Sequence, residues 1–191
     1  MGDKTIEVKN DINEIANYYC DLFKNYSELT SAQQEAVCDW AKRRFLGNGP
    51  LRFANAQFIS KSAKEYIESL PIDQLDLTGF QMEHIVPKSN YGLEKIKKLV
   101  KDERLSESEK EAQIKKIVAE EMRVCFVTAK ENEELNKVSK NKMPEEFSEE
   151  KQNYFIRYEK AFNMREEQLI KDFFVKIESI QIKDNKIIIN G

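Results

Sequence analysis

The sequence predicts an α+β protein that is predominantly helical. Three observations carry this. Apolar residues recur at helical spacing, as in Ile12, Ile15, Tyr19, Leu22 and Phe23, in Leu93, Ile96, Leu99 and Val100, and in Ile114, Ile117, Val118 and Met122. Only three short stretches, 80–86, 123–128 and 180–189, have strand-like composition. Charged residues make up 34% of the chain against 40% hydrophobic, which fits helices with one buried and one solvated face. With 191 residues the chain suits one sizeable core, or a smaller core with an appendage.

The elements follow in order. A first helix spans about 6–24, and Asn25-Tyr26-Ser27 breaks it. Ser31 with Gln34 reads as a capping box that opens a second helix through Ala36, Val37, Trp40, Ala41 and Phe45. Trp40 is assigned to the core. Gly47-Asn48-Gly49-Pro50 is the strongest break in the chain. A third helix is predicted over 51–70, through Phe53, Phe58, Ile59, Ala63, Tyr66 and Ile67, and Pro71 ends it. A polar connection leads into a short strand at 80–86, which Pro87 stops. Residues 91–122 are helical, 123–128 form a strand, and 130–138 form a short helix that Met143-Pro144 closes off. Ser148, with Lys151 three residues on, opens a long helical pattern to Phe174. The end reads as two short strands around Asp184-Asn185, or as a strand that pairs with a partner.

Composition narrows the function classes. Cys20, Cys38 and Cys125 are scattered and contain no Cys-x-x-Cys pair, so neither a zinc knuckle nor a disulfide frame is expected. A reducing, cytoplasmic location fits them best. No apolar run approaches the ~20 residues that span a membrane. Residues 1–6 lack the core of a signal peptide, and Ile6 stands where N-myristoylation needs Ser or Thr. The net charge is −3, so any contact with nucleic acid must rest on a local basic patch or on a partner.

Two stretches carry the candidate chemistry. In Gln81-Met82-Glu83-His84-Ile85-Val86-Pro87-Lys88-Ser89, the only histidine of the chain follows a carboxylate directly. The second stretch is Leu135-Asn136-Lys137-Val138-Ser139-Lys140-Asn141-Lys142-Met143-Pro144. Metal-assisted phosphodiester hydrolysis needs oxygen ligands for Mg²⁺ or Mn²⁺ and a base for water. Glu83 and Asn136 offer the oxygens, and His84 offers an imidazole able to take the water's proton. Neighbours on a strand point to opposite faces, so Glu83 and His84 share a cleft only if the strand ends there. Lys137, Lys140 and Lys142 form a basic cluster beside the site that would contact phosphates.

Glu83-His84-Ile85-Val86-Pro87 resembles the Asp-His-Ile-Val-Pro-type signature of HNH nucleases, in the His-Me finger superfamily. The second half is similar to the HNH domain of type II CRISPR effector nucleases. There Phe126-Val127-Thr128 is followed by Asn136, with a five-residue spacing to Asn141, and then by Pro144. The resemblance covers about 80–89 and 123–146. It implies a ββα-metal core holding one Mg²⁺ or Mn²⁺ ion, with His84 as general base and Glu83 and Asn136 as metal ligands. Asn141 would support the loop after the metal-binding helix, and Asn132, one helical turn before Asn136, is the reserve ligand. Two departures stand out. The middle position of the HNH pattern falls at Arg123 or Val124, so its scaffolding role is absent or filled elsewhere. Residues 91–122 form a helical insertion between the two halves.

The expected organisation is an N-terminal helical region at 1–76, an HNH core at 77–144 and a C-terminal helix with a β tail at 145–191. The expected activity is single-strand cleavage of DNA, with RNA not excluded, by the effector subunit of a bacterial antiphage or restriction system. Targeting would come from a protein partner such as an ATPase, and a homo-oligomer is a further expectation. The rival expectation is a catalytically inactive HNH-like interaction module, or an accessory subunit that binds nucleic acid without cutting it.

Overall fold

The computed structural model describes residues 8–9, 12–43, 51–87, 92–140, 142–148 and 150–191. Its elements are β1 (Val8–Lys9), α1 (Ile12–Phe23), α2 (Ser31–Arg43), β2 (Phe58–Ser60), α3 (Lys61–Ser69), β3 (Phe80–His84), α4 (Gly92–Val100) and α5 (Glu107–Glu121). They continue with β4 (Val124–Thr128), α6 (Ala129–Val138), α7 (Ile156–Phe162), the short α8 (Glu166–Gln168), a π-helical turn at Leu169–Phe173, β5 (Phe174–Lys176), β6 (Ser179–Lys183) and β7 (Lys186–Asn190). The fold is α+β and mainly helical, with two small sheets. None of the helices among the described residues is long and apolar enough to cross a membrane.

The larger sheet has the order β3-β4-β2-β5. β4 lies inside it, antiparallel to β3 and parallel to β2. Its composition explains the position: Val124, Cys125, Phe126 and Val127 are all fully buried, so both faces of the strand are covered. Val124 and Phe126 face the main core, which draws on α1, α2, α3, α4 and α5 and on Ile180, Ile187 and Ile189 of the tail. Cys125 and Val127 face a second core with Ile85, Leu135, Phe155, Tyr158, Leu169, Phe173 and Phe174. The α4–α5 segment between the two strands is part of the main core: Leu93 and Ile96 of α4 and Ile114 and Val118 of α5 pack with Ile15 and Tyr19 of α1.

The smaller sheet runs β1-β6-β7. Asp184 and Asn185 have φ of 49° and 60°, the left-handed pair that a two-residue hairpin needs. The outer edge of β7 is covered rather than open. Glu68 accepts the Ile189 N–H at 2.7 Å, Lys64 donates to the Ile189 carbonyl, and Ile72 N–H reaches the Asn185 carbonyl at 2.8 Å. Such cover removes a template for edge-to-edge association.

Four local expectations are corrected. The N-cap of α2 is Thr30 with Gln33, not Ser31 with Gln34: Thr30 N–H donates to Gln33 Oε1 at 2.9 Å. Gln34 instead donates to the carbonyls of Tyr26 and Leu29. Trp40 is 60% exposed, because Val37, Cys38 and Ala41 take the inner face of α2 and leave it on the flank. The helix predicted over 51–70 is split. Phe58 and Ile59 pair with both β4 and β5, and Ser60, whose hydroxyl accepts the Ala63 N–H, caps a helix that starts only at Lys61. The long helix predicted from Ser148 shortens to α7, which Asn163 ends in the left-handed conformation at φ 53°. The break at 47–50 lies outside the described residues.

Candidate active site

The two chemistry-bearing stretches meet. β3 pairs with β4 in the register Glu83↔Cys125 and His84↔Val124, and the Ile85 N–H extends the ladder to the Arg123 carbonyl at 2.9 Å. β4 leads directly into α6. Its capping box is the reciprocal one that Thr128 and Glu131 form, and Glu131 Oε2 also accepts the Ser60 hydroxyl at 2.7 Å. That carboxylate thus ties the start of α6 to the start of α3. α6 then folds back over the sheet, so that Leu135 packs with Ile85, Cys125 and Val127. Beyond α6 the Ser139 hydroxyl donates to the Lys142 carbonyl, and Met143 packs on Val86 and Tyr154. The ends of both stretches are therefore joined through Val86 and Met143.

Glu83 and His84 are half-buried at the end of β3. Strand alternation puts His84 on the face of Phe80 and Met82 and Glu83 on the opposite face, toward α7. There Glu83 Oε1 forms an ion pair with Arg157 Nη1. The Arg157 side chain is 0% exposed. The same Nη1 lies 3.5 Å from the His84 carbonyl. The other carboxylate oxygen, Oε2, takes part in neither contact. Burial pushes the Glu83 carboxyl above its ordinary range, and the nearby Arg157 charge offsets only part of that. Burial likewise raises the Cys125 thiol and the Tyr158 hydroxyl well above their usual values, with Glu83 adding to both.

The amides divide. Asn136 is half-buried on α6. Asn132, also half-buried, has its Oδ1 buried without a hydrogen-bond partner. Arg157 Nε and Nη2 and the Tyr158 hydroxyl on the facing α7 are in the same condition. Asn141, Lys88 and Ser89 lie outside the described residues. Lys137, Lys140 and Lys142 are exposed, and Lys137 pairs with Glu134 at 2.6 Å.

Among the described residues, no cluster of three or more His, Cys, Asp or Glu side chains could hold a metal ion. The donor set on offer is one carboxylate oxygen, Glu83 Oε2, with the amide oxygens of Asn136 and Asn132. Mg²⁺ keeps several of its waters and is commonly held by one or two carboxylates, so of this set Glu83 is the ligand type it needs and the amides would be supplementary. The Arg157 charge beside Glu83 works against any cation there.

Two residues of the site were not singled out from sequence. Arg157 lies among aromatic positions of α7, and a buried arginine has no signature that separates it from a surface one. Gln57 is 8% exposed and braces the start of β4: its Oε1 accepts the Val124 N–H at 2.8 Å and its own N–H donates to the Val124 carbonyl at 3.1 Å. Val124 is one of the two positions at which the resemblance puts the middle residue of its pattern. Arg123 does no such bracing. Its guanidinium stacks 4.8 Å from the Phe155 ring, and its Nε donates to the Glu120 carbonyl at 2.9 Å.

No protein-family model, no curated protein and no solved structure matches the chain. What the fold defines is coarser: an α+β protein, mainly helical, in which β3 and β4 pair antiparallel and α6 follows β4, with Leu135 packed among Ile85, Cys125 and Val127.

Proposed function

We propose that the protein is an HNH-type endonuclease that hydrolyses phosphodiester bonds of DNA with one Mg²⁺ or Mn²⁺ ion. The observation that supports this best is the return of α6 over β3 and β4, with Leu135 packed on Ile85 and Met143 on Val86. It joins stretches more than fifty positions apart by the order strand, strand, helix that the resemblance implies. His84 takes the proton of the attacking water. Glu83 and Asn136 would hold the divalent ion, which when bound supplies charge stabilisation at the phosphoryl group and the leaving oxygen. One such site cuts one strand. The exposed Lys140 and Lys142 offer phosphate contacts, but Glu145 and Glu146 follow closely, so targeting falls to a protein partner such as an ATPase of an antiphage or restriction system.

A second reading, an HNH-like module that has lost catalysis, is favoured by one observation: Glu83 is already engaged by Arg157. Incubating supercoiled plasmid with the protein and Mg²⁺ or Mn²⁺ separates the two. Metal-dependent conversion to the open circle, lost by roughly 10²-fold or more in His84→Ala, is expected of the enzyme. No nicking by the wild type, alone or with its partner, or equal nicking by His84→Ala, would leave the inactive module.

A further inference from the structure

We infer that Arg157, from outside the region of resemblance, is the positioning residue for the Glu83-His84 pair. It fills the scaffolding role that the HNH middle position leaves open. This rests on the reading of His84 and Glu83 as the nuclease pair. A single nitrogen, Nη1, contacts both residues: the Glu83 carboxylate through Oε1 and the His84 backbone through its carbonyl. Those contacts fix a carboxylate and a peptide plane at the point where β3 ends. Pairing to β4 continues only through Ile85, so the strand ladder itself leaves the two side chains to other restraints.

Arg157 is suited to that task and to little else. It is completely buried, and its counter-charge is Glu83, so it contributes nothing to surface electrostatics. Its helix is held rigidly, with Tyr158 fully buried against Phe173 and Phe174, at ring distances of 5.9 and 5.1 Å. A guanidinium on such a base presents Nη1 in a fixed direction, where a lysine would present a mobile point charge. Taking Oε1, Arg157 also decides which carboxylate oxygen remains for a cation, namely Oε2. The bracing of β4 by Gln57 completes the arrangement from the other strand, so two buried side chains from distant segments hold the two strand ends.

His84 is the sole histidine, which makes its ring signal an unambiguous reporter. The test records the ¹H–¹³C ring correlation of His84 in ¹³C-histidine-labelled protein, for the wild type, Arg157→Lys and Arg157→Met. The wild type is expected to give one narrow signal. Arg157→Met moves it by more than its linewidth or splits it. Arg157→Lys, which keeps the charge but not the planar reach, moves it part of the way. In parallel, kcat for plasmid nicking is expected to fall by about tenfold to a hundredfold in Arg157→Met, with KM for DNA unchanged. Coincidence of the His84 signal with that of the wild type in the folded variants overturns the inference. If Arg157→Met yields no folded sample, an unmoved signal in Arg157→Lys does the same. A wild type that never nicks DNA, alone or with its partner, sinks the nuclease reading instead, while the His84 signal still decides what Arg157 positions.

Discussion

The Glu83–Arg157 pair makes a sharp prediction about stability. Arg157→Met removes the guanidinium and leaves a largely buried carboxylate with no counter-charge. Breaking a buried pair from one side costs about 3–5 kcal/mol, because the remaining charge is desolvated without compensation. At about 2.1 cal/mol/K per residue, a chain of 191 residues has an unfolding entropy near 0.4 kcal/mol/K, so Tm falls by about 8–12 °C. The sign with pH follows from the carboxyl. Its folded pKa is already raised by burial, and loss of Arg157 removes the effect that lowers it. A raised carboxyl pKa gives a contribution that is fully present below the unfolded value and lost as pH rises through the folded one. The deficit of Arg157→Met relative to wild type is therefore smallest in acid and grows toward neutrality. Glu83→Met/Arg157→Met, which removes both charges, is expected within about 1 kcal/mol of wild type or above it. Urea unfolding of the three proteins across the pH range measures all of this. A single variant within 1 kcal/mol of wild type at neutral pH, or a double variant no better than the single, would refute the reasoning about this pair.

Other substitutions probe neighbouring links. Gln57→Leu leaves the buried Val124 N–H without its acceptor and is expected to cost about 1–3 kcal/mol in urea unfolding. Asn132→Leu, nearly the same shape, removes a buried oxygen that has no partner and is expected to stabilise the metal-free protein by about 1 kcal/mol. Asn136→Ala is expected to weaken Mn²⁺ binding by at least about tenfold, read by the paramagnetic resonance of free Mn²⁺. If Asn132→Leu is instead the variant that loses the ion, the ligand lies one helical turn earlier.

Much of the fold can be read from the chain, for reasons that particular residues make clear. β4 is legible because Val124-Cys125-Phe126-Val127 is an unbroken apolar run between charged helices. The final hairpin is legible because Asp184-Asn185 supplies the two left-handed residues it needs. β2 is not. Phe58 and Ile59 sit at positions that also suit a helix face, and only pairing to β4 and β5, far away in sequence, makes them a strand. Trp40 misleads because size suggests burial, whereas the helix face is set by Val37, Cys38 and Ala41. At the site, the Glu83-His84 and Asn136 stretches can be found because their residue types imply chemistry. Arg157 and Gln57 cannot, since each has the composition of a surface residue and acquires its role only from the strand that packs beside it.

The helical insertion raises the question of why strands so far apart pair at all. Relative to a two-residue turn, a connection of about 40 residues is some four doublings longer, and at about 0.6 kcal/mol per doubling the added closure cost is about 2.5 kcal/mol. Against this stand Leu93, Ile96, Ile114, Val118 and Met122, all buried in the main core, at about 1.5–3 kcal/mol each. The packing exceeds the closure cost severalfold even after the ordering of α4 and α5 takes its share. Met122 sits at the point where α5 hands over to β4, and its side chain lies against Gly92 at the start of α4, where an added methyl group would come within 2.7 Å of it. The two ends of the insertion are thus clamped together just where β3 and β4 must begin and end their pairing. The insertion does not loosen the strand pair; its own hydrophobic contacts set the distance between the strand ends, and through them the placement of Glu83 and His84.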